Sequence, residues 1–329
     1  MYTDLNPDQL DRTVHDCLAE HYGIEGRLQR LGGENLNFRV DLPSGEQRVL
    51  KIVDETIPPE VVEMENLAIE HASRAEIGLE FPKIMKNNTG NLETRIKIRK
   101  NGIQRARLLT FLDGINFENV TDISIELLEN LGKSVARFDR AMESFDHHAA
   151  HRSHQWNLAE AGRHRAKVAL VEGADRRELL RWAYDAWERQ AAPRWSELPR
   201  QFIHGDLNRG NVVVSDDRVV GLLDFGDSCC NPAVCELAIC LAYIMLGHSR
   251  PFEAAARVAA AYGSERSLSD IEQAVLFPLV CARLAVSVSI AAERKQLEPD
   301  HPNWFGSERL AWEVLPALKA RGSEGWLGS

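Results

Sequence analysis

The spacing of apolar residues changes twice along this chain of 329 residues. Near the start, Asn6-Pro7-Asp8 is typical of a helix beginning, and apolar positions at helical spacing follow it until Gly23. From there to about residue 110 the pattern is mostly one of short alternating runs, which predicts strands. Strands are expected at 27–31, 37–42, 47–53, 83–86, 95–100 and 104–110. A second helix is expected from Pro58 to about 73.

After residue 122 helical spacing returns and persists to the end. A long amphipathic helix is predicted around 125–138, a charged helical connector at 163–191, and a buried helix at 234–246. Another helix is predicted at 269–293, where Pro278 is expected to kink or split it, and a last one at 304–315. The fold class is therefore α+β, with a β-rich lobe at 1–112 and a mostly helical lobe at 113–329. We expect that no apolar run approaches the length needed to span a membrane, and that the N-terminus has no basic-then-apolar signal peptide.

Two short apolar runs inside the helical part carry the candidate chemistry. The runs 212–214 and 219–223 predict a β-hairpin with a polar turn at 215–218. Asn211 precedes the first strand and Asp224 follows the second, so a hairpin brings both to the same end. An amide oxygen and a carboxylate there can hold Mg²⁺. Asp206, five positions before Asn211, can accept the proton of an attacking hydroxyl.

The order of these residues matches a known motif. His204-x-Asp206-x4-Asn211, followed by Asp224-Phe225-Gly226, corresponds to a kinase catalytic loop and its metal motif. The stretches 204–211 and 222–227 resemble the aminoglycoside phosphotransferase and choline kinase-like superfamily, and most closely its hydroxylysine kinase-like group. Gly205, where protein kinases have Arg, favours this small-molecule branch. The resemblance extends from about residue 31 to 294 and implies a bilobal, protein-kinase-like fold.

The resemblance also implies nucleotide-binding residues in the first lobe. Lys51 lies on an otherwise apolar strand face and needs a carboxylate partner, because a buried unpaired ammonium is costly. We expect Glu65 to be that partner, with Glu63 as the alternative. The loop at 31–37 is the candidate phosphate-covering loop, and the strand ending near residue 112 resembles a hinge that binds adenine. The remaining nucleotide-binding candidates are Gly32, Gly33, Asn35, Asn37, Thr110 and Leu112.

Four residues are candidates for acceptor binding: Asp227, Glu236, Arg283 and Trp156. Arg283 is the one cation in a long apolar run, so it either pairs with a structural acid such as Glu236 or binds a substrate carboxylate through its two-pronged guanidinium. Trp156 either lines the substrate site or packs in the core. Four histidines at 147–154 are spaced too irregularly to predict a metal site.

Composition indicates which kinds of molecule the protein is expected to bind. The formal net charge of −10 disfavours nucleic acid and suits a cationic small substrate. The six cysteines form no zinc pattern, and are expected to be buried thiols in the cytosol. The predicted protein is a phosphotransferase that uses Mg²⁺ with ATP or GTP and acts on a small amine or amino acid. Hydroxylysine-like acceptors come first, then amino alcohols or homoserine, then aminoglycosides. A catalytically silent nucleotide-binding module is the alternative from another class.

Overall fold

The structure is a computed structural model that describes residues 3–32, 36–100, 102–297 and 306–328. The α-helices are α1 (Pro7–Tyr22), α2 (Pro59–Arg74), α3 (Ile125–Met142), α4 (Ala174–Ala186), α5 (Val234–Ile244), α6 (Pro251–Glu265), α7 (Asp270–Leu297) and α8 (Gly306–Arg321). The strands are β1 (Arg27–Leu31), β2 (Leu36–Asp41), β3 (Gln47–Val53), β4 (Ile84–Met85), β5 (Thr94–Ile96), β6 (Gln104–Thr110), β7 (Ile115–Asn116), β8 (Arg200–Ile203), β9 (Val212–Ser215), β10 (Arg218–Leu222) and β11 (Cys229–Pro232). Short 3₁₀ and π segments connect them.

The chain divides into two compact units. The first comprises Met1–Glu70 and Phe81–Asp113, and the second comprises His71–Glu80 and Gly114–Ser329. The observed class is a mixed α and β fold, sheet-rich in the first unit and helical in the second, as the sequence predicts.

The first unit is built on one antiparallel sheet with strand order β1-β2-β3-β6-β4, in which β5 also pairs with β6. Helix α1 covers this sheet with Leu10, Val14, Cys17 and Leu18, which pack in one cluster with Phe38 and other buried strand residues. The helix starts where expected, because Asn6 and Gln9 form a reciprocal capping box. It ends at Gly23, whose φ of 66° is readily adopted by glycine.

The second unit has helices around two small sheets, β10-β9-β7 and β11-β8. Helices α3 and α6 approach closely at Gly132, where a side-chain Cβ would lie 2.2 Å from the carbonyl oxygen of Val258. Helix α7 is buried along most of its length, and it packs against α5 and α4. The hairpin that carries part of the predicted motif belongs to the first of these small sheets.

Several sequence predictions for the second unit are wrong. Residues 229–232, for which the sequence predicts no strand, form β11, which pairs with β8 about 30 positions earlier. The 163–191 stretch is not simply a solvated connector, since α4 buries Leu179, Leu180, Ala183 and Tyr184. Pro278, expected to kink or split its helix, does not split it, since α7 continues through this position. Packing of the buried residues around it outweighs the cost of an interior proline, about 3 kcal/mol.

Helix α7 also corrects the expectation about apolar runs. It is long and apolar enough to cross a membrane by length and composition, with a mean hydropathy of 2.1 over its most apolar 18 residues. However, 94% of that window is buried inside the protein. Helix α7 is therefore a core helix of the second unit.

Candidate active site

The predicted hairpin is present as β9 and β10. Its turn is made by Asp216 and Asp217, with φ of 47° and 56°, as in the tight turns that match the twist of a hairpin. At the opposite end, the backbone N–H of Leu223 donates to the carbonyl oxygen of Asn211 at 2.8 Å. This bond brings Asn211 next to the residue that precedes Asp224. The hairpin therefore places the amide and the carboxylate at one end, as the sequence predicts.

Side chains of the loop before the hairpin donate hydrogen bonds to one oxygen of the Asp206 carboxylate. Asn208 Nδ2 and Asn211 Nδ2 both donate to Asp206 Oδ2, at 2.8 and 2.9 Å. His204 is buried, its Nε2 donates to the carbonyl of Leu223 at 2.8 Å, and its Nδ1 accepts from the backbone N–H of Asp206. These bonds connect the loop to the end of the hairpin, so the three motif residues have fixed relative positions.

Gly205 is required by the packing of this loop. Its φ is 78°, and a Cβ there would lie 2.5 Å from the carbonyl oxygen of Asp227. The backbone that follows the metal motif therefore packs directly on the residue before Asp206. This contact explains physically why a large side chain, such as the Arg of protein kinases, is absent at position 205.

Glu236 is placed beneath this loop and not at its surface. It is 0% exposed, and its carboxyl group accepts from the backbone N–H groups of His204 and Gly205. Burial and then the neighbouring charge of Asp139 raise the pKa of Glu236 well above its ordinary value. Glu236 was an acceptor-binding candidate from sequence. Its burial and its bonds to the loop backbone make it a brace for the loop, so that assignment is corrected.

The donor set at the hairpin end fits a hard divalent cation. Because Asn211 donates through Nδ2 to Asp206, its Oδ1 points elsewhere, and it accepts no hydrogen bond from a described residue. Asp224 is exposed and adopts a left-handed conformation with φ of 59°, which is strained for an aspartate and is common at functional sites. An amide oxygen and one carboxylate are few ligands for a protein cage, but they suit a divalent cation that also binds phosphate oxygens.

Arg283 contacts the other oxygen of the Asp206 carboxylate. Its Nη2 lies 2.8 Å from Asp206 Oδ1, and its Nη1 donates to the carbonyl of Trp156 at 3.1 Å. The guanidinium lies over the rings of Trp156 and Tyr243, 4.9 and 5.3 Å from their centroids. Glu236, proposed from sequence as a structural partner of Arg283, is not the partner that the structure gives. Trp156 is half-buried and touches this guanidinium, so it lies beside the candidate catalytic loop.

Asp227 and His154 lie next to each other. His154 Nδ1 is 3.6 Å from Asp227 Oδ1, and the His154 side chain is 10% exposed. Burial, followed by the charges of Arg152 and Arg283, lowers the pKa of His154 to about 3. The imidazole is therefore neutral near pH 7. The sequence had identified Asp227 but not His154, whose histidine-rich context suggested only an irregular metal site.

In the first unit, Lys51 pairs with Glu65 as expected. Lys51 Nζ lies 4.0 Å from Glu65 Oε2, whereas the alternative partner, Glu63, is exposed. A stronger contact was missed: Arg107 Nη2 lies 2.5 Å from the same carboxylate oxygen, and Arg107 is only 1% exposed. Arg107 faces Lys51 across the β3–β6 pair. The same sequence pattern that indicated Lys51, a cation within an apolar strand, also indicates Arg107.

The other nucleotide-binding candidates are placed in part. Gly33 and Asn35 lie outside the described residues, and Gly32 is exposed at the end of β1. Asn37 lies opposite Lys51 on β2, and its side-chain oxygen is buried with no hydrogen-bond partner among the described residues. The backbone N–H of Thr110 donates to the carbonyl oxygen of Lys83 at 2.9 Å, and Leu112 is buried.

Comparison with known proteins gives a family and a fold. The sequence model of the phosphotransferase enzyme family (APH) matches residues 27–273. Hydroxylysine kinase of Mus musculus is 27% identical over 311 residues, covering 87% of this chain and 82% of that protein. Homoserine kinase of Gluconobacter oxydans is 31% identical over 215 residues, covering 64% of each chain.

Solved structures agree in fold. A microcompartment-associated aminopropanol kinase superposes with a TM-score of 0.75 over 96% of this chain and 98% of that one, at 19% identity. At this identity the likeness shows the fold alone. The family match, by contrast, covers about three quarters of the chain and includes the catalytic loop, the metal motif and the Lys51 strand. The chain belongs to the phosphotransferase enzyme family, in which it is a small-molecule kinase.

Proposed function

We propose that this kinase transfers the γ-phosphoryl group of ATP or GTP to the hydroxyl of a small hydroxylated amine, and that a hydroxylysine-like amino acid is its acceptor. The observation that carries the proposal is the Asp206 carboxylate, fixed on both oxygens beside the Asn211–Asp224 end of the hairpin. The curated relatives support the acceptor class. Two hydroxylysine kinases align over 87% and 95% of the chain, and two homoserine kinases align over 64% and 87% of it.

The proposed reaction is a direct displacement. The acceptor oxygen forms a bond to the γ-phosphorus, and the bond from that phosphorus to the β–γ bridging oxygen breaks. The electron pair of the broken bond leaves with the nucleoside diphosphate, and the hydroxyl proton passes to Asp206. Asn211 and Asp224 would hold Mg²⁺, which when bound neutralises charge on the phosphate oxygens.

We propose that the first unit supplies the nucleotide contacts. Lys51 would contact phosphate oxygens, and Glu65 would set the position of its ammonium from 4.0 Å away. Gly32, Gly33, Asn35 and Asn37 would cover the phosphates, while Thr110 and Leu112 would border the adenine. Asn37 lies opposite Lys51 on the neighbouring strand, and Thr110 is the last residue of β6, which supports these two assignments.

For the acceptor, we propose that Asp227 binds the ammonium group. Its side chain is 30% exposed and lies three residues after Asp224. Trp156 would border the acceptor's carbon chain. All six cysteines are free thiols, which supports a reducing compartment, and we propose the cytoplasm.

The test is release of nucleoside diphosphate with Mg²⁺, using ATP and GTP separately. The acceptors are 5-hydroxylysine, homoserine, 1-amino-2-propanol, ethanolamine, choline and several aminoglycosides. We expect turnover with a hydroxylated amino acid, and a loss of about 10²-fold or more in Asp206→Asn, the range for a general base. Mass spectrometry of the product identifies the phosphorylated hydroxyl.

Other outcomes separate the alternatives. Preference for homoserine or an aminoglycoside would change the acceptor but keep the reaction. Tight binding of Mg²⁺–nucleotide without turnover on any acceptor would favour a silent binding module. Near-wild-type turnover in Asp206→Asn would refute the assigned proton acceptor.

A further inference from the structure

Arg283 is a charged side chain enclosed in an apolar helix. It is 1% exposed, and its neighbours on α7 from Val275 to Ala292 are buried. Transfer of a guanidinium from water into such surroundings is costly, and a buried ion pair often contributes little net stability. Core stability therefore does not by itself account for an arginine at this position.

The guanidinium has one carboxylate partner at ion-pair distance among the described residues, and that partner is Asp206, at 2.8 Å. The Asp206 carboxylate is held from two sides. Asn208 and Asn211, which belong to the same loop, donate to Oδ2, and Arg283, which belongs to a distant helix, donates to Oδ1. The two loop donors converge on one oxygen, and the contact from α7 holds the other oxygen and so restrains rotation of the carboxylate plane.

The guanidinium is in turn restrained by its surroundings. Its second amino group donates to the carbonyl of Trp156, and the rings of Trp156 and Tyr243 lie within about 5 Å of its central carbon. Three elements, α5, α7 and the segment with Trp156, therefore determine where Nη2 points. A donor held in this way is preorganised, whereas a flexible surface lysine would not be.

We propose that Arg283 is a positioning residue: it sets the orientation in which Asp206 receives the acceptor's proton. This proposal rests on the proposed function, and it replaces the expectation that Arg283 binds a substrate carboxylate. The guanidinium contact leaves the remaining lone pairs of the Asp206 carboxylate directed to the acceptor hydroxyl. A displacement of about 1 Å at a reacting group can cost about 10²-fold in rate.

The test compares Arg283→Met, which removes the charge and keeps much of the volume, with Arg283→Lys. The control is Arg266→Met, which breaks another buried ion pair of the second unit, Arg266 with Glu272 at 3.0 Å. We expect Arg283→Met to lower kcat by about 10²-fold while the acceptor KM changes by less than about 3-fold. Arg283→Lys should recover part of kcat. The control should lower Tm and leave kcat near the wild-type value.

A double variant gives an independent readout. If Arg283 acts through Asp206, Arg283→Met should lower kcat little further in an Asp206→Asn background, because residues that act as a unit are not additive. Multiplicative losses would overturn the proposal. So would a raised acceptor KM with unchanged kcat, restricted to acceptors that carry a carboxylate, since this pattern means direct substrate binding.

A crystal structure of Arg283→Met decides the question without turnover. We expect the Asp206 carboxylate to rotate while the backbone of 204–211 stays in place. An unchanged carboxylate would overturn the proposal. If the wild-type enzyme phosphorylates no acceptor of the panel, the proposed function fails, and the orientation of Asp206 in this variant still decides the role of Arg283.

Discussion

Replacement of Glu236 tests whether the catalytic loop is braced from beneath. Its carboxyl group accepts from the backbone N–H of His204, and from that of Gly205 at 3.3 and 3.4 Å for its two oxygens. Glu236→Ala leaves both N–H groups buried without a partner. Each unsatisfied donor costs about 1–3 kcal/mol, so the expected loss is roughly 2–6 kcal/mol of unfolding free energy.

Glu236→Gln is the matched conservative variant. It keeps one carbonyl oxygen beneath the loop, and because burial already disfavours the charged carboxylate, a neutral amide is a close replacement. We expect it to lose about 1 kcal/mol or less, the net value of an ordinary hydrogen bond. Glu253→Ala, which removes an exposed carboxylate on α6, should change stability by no more than about 0.5 kcal/mol.

The assay is thermal unfolding together with kcat and both KM values. For a unit of this size, 1 kcal/mol corresponds to about 2–4 °C in Tm, so Glu236→Ala should melt at least about 4 °C below the wild type. Its kcat should fall because the loop carrying Asp206 loses its support. A wild-type Tm combined with a raised acceptor KM would refute the brace, and would return Glu236 to the acceptor-binding role expected from sequence.

Four further variants test the roles of other charged side chains. Asp224→Ala should abolish Mg²⁺-dependent turnover; retention of it would contradict the metal assignment. Lys51→Met should raise the nucleotide KM. Arg107→Met should mainly lower Tm, because it leaves the buried Glu65 carboxylate without its closest partner, a loss of about 3–5 kcal/mol of unfolding free energy. Equal effects of the two variants on the nucleotide KM would show that the two cations share one role. Burial raises the pKa of Asp139 to about 7, so its contribution to stability is complete at low pH and is lost as pH rises toward 7. Asp139→Asn should therefore flatten the decline of Tm between about pH 4 and pH 7, and an unchanged slope would contradict this origin.

Local signals account for the parts of the fold that the sequence predicted well. The start of α1 follows from Asn6 and Gln9, which contact each other within one turn. The hairpin of β9 and β10 follows from two apolar runs and a polar turn between them. In each case the interacting residues are within about ten positions, so the pattern of neighbours contains the needed information.

Long-range pairings account for the errors. The β8–β11 pair joins segments about 30 positions apart, and neither short segment has a strong strand pattern alone. Arg107 and Glu65 are 42 positions apart, and Arg283 and Asp206 are 77 apart. A sequence shows that a buried cation needs a partner, but not which carboxylate the fold brings to it.

By itself, the sequence determined the kinase motif, the order of the sheet-rich and helical parts, and the residues that we propose hold metal and accept a proton. These properties depend on residue type and short spacing. Only the tertiary structure decided that Glu236 supports the loop from inside, that Arg107 shares Glu65 with Lys51, and that Arg283 contacts Asp206. The reason is physical: a charge in the interior is stabilised by whichever partner packing places within about 3 Å, and packing joins residues far apart in the chain.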